Sequence, residues 1–175
     1  MNKKISKLLV VFMLGCNLTG CFVDDTTSDA HMNNEAITNT TSDILYAYTI
    51  DDDNLGNIPI ELEVVYTGDI MEAIKNLATV LSDSTFNGLD IEIVGQENID
   101  GKQIVTINLQ DSDKGTWYNY FQGSTGGMVT ARSLEETFLQ REYPGVWIDG
   151  IKFEYNGEPM PELDHTVGLE TTLYR

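Results

Sequence analysis

Nucleophilic catalysis needs a nucleophile, a general base and a group that orients the base. The chain offers few such parts: 175 residues include two cysteines, Cys16 and Cys21, and two histidines, His31 and His165. His31 stands in the polar run "TSDAHMNN" and reads as a solvated side chain rather than a metal ligand. Ser133, His165 and Asp164 supply the residue types of a hydrolase triad, but helical spacing places Ser133 inside a helix, with no Gly-x-Ser-x-Gly turn to expose it. Two carboxylates can hydrolyse a glycoside. With 28 acidic residues, however, the adjacency of Glu135 and Glu136 carries little information and suits a solvated helix face. No catalytic residue and no cofactor are therefore expected.

Two acidic clusters have oxygens at spacings that invite a calcium test. Asp51, Asp52, Asp53 and Asn54 precede Gly56, and Asp111 and Asp113 precede Gly115. The EF-hand loop requires oxygen donors at its first, third and fifth positions, glycine at the sixth and glutamate at the twelfth. In the first cluster Leu55 occupies the fifth position, and in the second the glycine arrives one residue early. Solvated turns are the expectation, with Asp51, Asp53, Asp111 and Asp113 kept as weak calcium candidates. The glycines at 123, 126 and 127 lack both the Walker spacing and its lysine, and read as a flexible lead into a helix.

Aromatic chemistry is concentrated at Trp117, Tyr118, Tyr120 and Phe121, between Gly115 and Gly123. Such a group either plugs a core or faces solvent as a binding patch. Tyr and Trp contribute rigid area with a polar tip at interfaces, and the same rings would stack on a sugar, which makes peptidoglycan a candidate ligand.

These residues are positioned by elements that the sequence punctuates clearly. Residues 44–50 and 58–66 are rich in β-branched and aromatic side chains and read as strands. Asp69 with Glu72 resembles a capping box, and Ile70, Ile74, Leu77, Ala78 and Leu81 then recur at helical spacing. Residues 89–110 form two alternating runs around Asp100-Gly101, a dipeptide suited to a type I′ hairpin turn. A second helix is expected over about 128–142, with Met128, Ala131, Leu134, Phe138 and Leu139 inward and Pro144-Gly145 as its stop. Strands over 146–155 and 167–174 complete the order. The pattern predicts an α+β fold: a two-layer sandwich with a largely antiparallel sheet and two main helices on one face.

The N-terminus has Lys3, Lys4 and Lys7, then the short apolar run "LLVVFMLG", then "LTGC". That run is well short of the roughly 20 residues of a membrane-spanning helix. It reads as a signal peptide over 1–20, and Leu18-Thr19-Gly20-Cys21 resembles a bacterial lipobox, which implies lipidation of Cys21 as the first mature residue. Removing residues 1–20 takes three of ten basic residues and no acidic one, so the mature charge is 7 minus 28, or -21. A chain of that charge does not hold nucleic-acid phosphates, and anionic head groups repel it, so membrane attachment falls to the lipid on Cys21. With Cys21 lipidated and Cys16 in the signal, no disulfide remains. Residues 21–43 are Thr-, Ser-, Asn- and Asp-rich and read as a disordered tether, with a mean reach of roughly 25 Å for about 21 residues. Residues 44–175 are then one domain.

The opening "YAYTIDDDN", the hairpin "GKQIVTINL" and the stretch "GGMVTARSLEETFLQREYPGVWIDGIKFEYNGEPMPEL" together resemble the GerMN domain family of spore-germination lipoproteins. The resemblance covers most of residues 45–163. It implies a non-catalytic extracytoplasmic domain on the outer face of a Gram-positive cytoplasmic membrane, working by contact with envelope or sporulation proteins or by self-association. A cell-wall or solute-binding lipoprotein using the aromatic patch is the alternative, and a hydrolase the third.

Overall fold

The computed structural model describes residues 42–166 and 168–175; Cys21, His31, the expected signal and nearly all of the tether lie outside the described residues. The chain opens with strand β1, Asp43–Ile50, antiparallel to β2, Asn57–Tyr66. Their pairing is interrupted by a bulge: Tyr46 opposes Glu63 while Tyr48 opposes Pro59, so Ala47 faces three residues of β2. The turn between them is closed by the Asp51 carboxylate, which accepts from the amides of Asp53 (2.9 Å) and Asn54 (3.0 Å).

Helix α1 spans Ile70–Thr85 and starts where the capping residue predicts, with the Asp69 side chain accepting from the Glu72 amide. Its buried face is Ala73, Ile74, Leu77, Ala78 and Leu81. Strands β3, Asp90–Ile99, and β4, Lys102–Gln110, then form the expected hairpin. Asp100 (φ 52°) and Gly101 (φ 82°) both lie in the left-handed region that a type I′ turn demands. A 3-10 turn at Trp117–Phe121 leads into helix α2, Ser124–Leu139. The chain ends with β5, Gly150–Tyr155, and the two-residue strands β6, Glu158–Pro159, and β7, Leu173–Tyr174.

The class is α+β, with a sheet-dominated core and two helices. The strands make two sheets rather than one. β1 and β2 form a pair by themselves, and a second sheet runs β3-β4-β5-β6 with β7 also on β5. β5 lies parallel to β4, because the connection between them carries α2 as a crossover instead of a tight turn. The side of β1 away from β2 is closed by α2 side chains: Thr137 Oγ1 accepts from the Tyr48 amide at 2.8 Å, and Gln140 Nε2 donates to the Tyr46 carbonyl at 2.7 Å.

Other expected boundaries move for local reasons. α2 begins at Ser124, four residues before the expected start, since of the glycines read as a flexible lead-in Gly123 is its N-cap and Gly126 and Gly127 lie in its first turn. It ends at Leu139, before Pro144-Gly145, because Gln140 adopts a left-handed conformation (φ 45°). That backbone is held by the Gln140 side chain, which also donates to the Thr137 carbonyl. The strand expected over 146–155 starts at Gly150; Trp147, ahead of it, is buried and donates to the Phe138 carbonyl. The strand expected over 167–174 reduces to Leu173–Tyr174. Tyr143, in the loop after α2, donates to the Asp43 carboxylate at 2.6 Å, and that bond pushes the phenol up to about 12. No helix among the described residues is long and apolar enough to cross a membrane.

Candidate functional site

The four aromatics of residues 117–121 divide between core and surface. Trp117 and Tyr120, three residues apart in the 3-10 turn, face the same way, with ring centroids 6.0 Å apart. Trp117 is fully buried, donates from Nε1 to the Asp90 carbonyl (3.2 Å), and lies 4.7 Å centroid to centroid from Phe86. Phe121 is buried, and Tyr120 is half-buried edge-on against Phe86. Trp117 and Phe121 therefore belong to the core and not to a contact patch. Tyr118, 51% exposed, is the one large aromatic of the segment available to a partner.

Asp111 is occupied by its own chain. Its carboxylate accepts from the Trp117 amide (2.8 Å), the Tyr155 hydroxyl (2.7 Å), Thr116 Oγ1 (3.0 Å) and Asn156 Nδ2 (3.3 Å). Burial acts to raise its pKa, but those donors, led by the Trp117 amide, hold it below the ordinary carboxylate value. This is a fixing point for the 3-10 turn. Asp113 is exposed. Carboxylate oxygens of Asp51, Asp52 and Asp53 lie within 4.8 Å of one another, but Asp51 is engaged in closing its turn and its two neighbours are exposed.

The triad types do not come together. Ser133 is fully buried on α2, with its hydroxyl unpartnered. His165 instead meets Ser124, with Nε2 3.3 Å from Oγ, at the start of α2. The close approach of the 164–165 backbone to this helix depends on Gly127, where a Cβ would stand 3.0 Å from the Phe121 carbonyl oxygen and 3.4 Å from that of His165. Ser124 and His165 are exposed, and among the described residues nothing orients the imidazole through a second hydrogen bond. With Tyr118, Gln122, Glu162 and Asp164 they line an open polar cleft of roughly 380 Å³.

A second concavity, roughly 440 Å³, is made by three segments that the sequence keeps apart. β1 contributes Tyr46 and Tyr48, β2 contributes Asn57, Pro59, Ile60 and Glu61, and the loop after α2 contributes Glu142. The β-bulge opposite Ala47 sets these β2 residues against the tyrosines. Tyr48 is mostly buried, and its phenol is raised by burial first and then by Glu142, Glu136 and Tyr46. Asn57 Nδ2 faces Glu136 Oε2 at 3.4 Å, which fixes the amide orientation, since a carboxylate only accepts. Its Oδ1 is buried and has no donor. Glu136 is neutralised by Arg141 (2.5 Å), whereas Glu61 and Glu142 are exposed and have no ion-pair partner among the described residues. The groove thus combines aromatic faces, apolar walls and uncommitted negative charge. Sequence reasoning missed it; the alternation of Tyr46 and Tyr48 in "LYAYT" was the one local signal.

Compared with protein-family models, with curated proteins and with solved structures, the chain matches none.

Proposed function

We propose that this chain is a lipid-anchored, non-catalytic contact protein of the extracytoplasmic face, holding an envelope partner through the β1–β2 side of its domain. The observation that carries the reading is the Tyr46–Tyr48 groove: preformed, mostly apolar, edged by carboxylates that have no ion-pair partner among the described residues, and without a nucleophile or histidine base among its lining residues. The lipobox, the polar tether and the ordered likeness to the GerMN family support the same assignment, including a role in sporulation or germination. Self-association through the outer edge of β2 is disfavoured, because Glu61, Glu63, Pro59 and the bulge are the devices by which edge strands resist pairing with copies of themselves. The test is a photoreactive residue at Ile58, exposed on β2 next to Pro59 of the groove, in producing cells, with Cys21→Ser alongside. An adduct with another envelope protein and release of Cys21→Ser from the membrane fraction are the expected results. Retention of that variant after a high-salt wash, or turnover of a cell-wall substrate by the purified chain, would overturn the reading.

A second reading rests on Tyr118. An exposed aromatic beside Gln122, Asp164 and His165 offers a stacking face with polar groups around it, the arrangement that suits a saccharide. Co-sedimentation with peptidoglycan that Tyr118→Ala abolishes would favour it; sedimentation unchanged by that substitution would dismiss it.

A further inference from the structure

We infer that the groove between β1, β2 and the loop after α2 receives the guanidinium of an arginine side chain carried by an extended, basic segment of a partner protein. The inference rests on the contact reading above and names the chemistry of its ligand. Two features converge on a planar cation. Tyr46 and Tyr48 line the groove, and guanidinium binds aromatic rings by stacking and by attraction to the ring quadrupole. Glu61 and Glu142 edge the same space from separate segments, and neither has a cation partner among the described residues. Arginine has five N–H donors in a rigid fork that pairs bidentately with a carboxylate, while its methylene stem lies along Pro59 and Ile60.

Charge decides between occupants. The chain is strongly acidic, so a second copy would bring carboxylates toward carboxylates, whereas a basic segment is steered toward this face. Arg141, next to Glu142 in the chain, is spent on Glu135, Glu136 and the Tyr174 carbonyl.

The probe is a short fluorescein-labelled peptide of alternating valine and alanine with one central arginine, titrated by anisotropy against the full chain in mild detergent. Matched peptides carry lysine or citrulline, the uncharged isostere, at that position. The arginine peptide should bind, the lysine peptide should be weaker by about fivefold, and the citrulline peptide by about tenfold or more. Glu142→Gln, at an exposed position, should cost about tenfold, while Glu158→Gln, which removes the same charge from β6, should stay within about twofold. Citrulline or lysine binding as well as arginine, Glu158→Gln acting as strongly as Glu142→Gln, or no binding by any peptide would each overturn the inference. A cross-link from Ile58 that persists undiminished in Glu142→Gln would leave the contact protein standing and remove its arginine.

Discussion

Trp117 and Tyr118 are neighbours in the chain and opposites in the fold, so truncating each in turn tests the placement of the whole 117–121 segment. A buried tryptophan removes roughly 150–250 Å² from water, worth roughly 4–6 kcal/mol at about 25 cal/mol per Å². Compactness of the unfolded chain lowers that figure, and aromatic-to-alanine changes in cores cost about 3–5 kcal/mol. The lost Nε1 donation to the Asp90 carbonyl falls within that range, since a neutral hydrogen bond contributes about 0.5–1.5 kcal/mol. Trp117→Ala should therefore cost about 4 kcal/mol, close to the whole stability of a marginal domain, and lower Tm by about 15 °C for a domain of this size. Tyr118→Ala, at an exposed position, should stay within about 0.5 kcal/mol. Urea unfolding followed by far-ultraviolet circular dichroism reads both. A Trp117→Ala loss under about 1 kcal/mol, or a Tyr118→Ala loss equal to it, would refute the core assignment and return the segment to the surface.

Asp111 has a depressed pKa in the folded protein, so its contribution is present above the unfolded value near pH 4 and is lost as pH falls through the folded value. Asp111→Asn should cost about 1–2 kcal/mol at pH 7, discounted for partial water contact, and its stability curve should converge on that of the wild type in acid; parallel curves would contradict this. Asp113→Asn, at an exposed position, should stay within about 0.5 kcal/mol of the wild type at pH 7. Thr137→Val keeps the volume but strands the Tyr48 amide, which should cost about 1–3 kcal/mol and speed hydrogen exchange at that amide, read by NMR. Gly127→Ala should loosen the 164–165 segment from α2, seen as loss of the Ser124–His165 contact in the histidine NMR shifts, with α2 itself retained.

The parts of the fold that were legible are those whose signal is local. Asp69 caps α1, Asp100-Gly101 turns the β3–β4 hairpin, and the apolar spacing of Ile74, Leu77 and Leu81 identifies the buried face. What escaped depends on distant partners. Gln140 ends α2 in a conformation that glutamine rarely takes, because its side chain finds the Tyr46 carbonyl 94 residues away. Glycine at 126 and 127 is a weak helix former, yet Gly127 is required where two backbones meet. The separation of β1–β2 from the larger sheet follows from α2 lying along β1, a packing choice with no local mark. The aromatic cluster at 117–121 was visible, but its split between core and surface depends on a 3-10 turn that Asp111 pins. The groove was invisible because it is assembled from β1, β2 and a loop some 80 residues later, across a bulge that composition does not announce.

The attachment of β1 also decides how the domain bears a load. If the chain is held by lipid at Cys21, any pull between membrane and partner enters at Asp43, the first residue of β1. There the Asp43 carboxylate is gripped by the Tyr143 hydroxyl, and behind it the strand is fastened to α2 by Gln140 and Thr137 and to β2 by its ladder. Tension along β1 is thus shared among bonds on both of its sides, and they must fail in shear together. The five-stranded sheet is not hydrogen-bonded to this pair. Because Leu45, Ala47 and Val64 share one core with Ile107, Leu109 and Phe153, a pull that frees this pair also opens the core beneath the larger sheet.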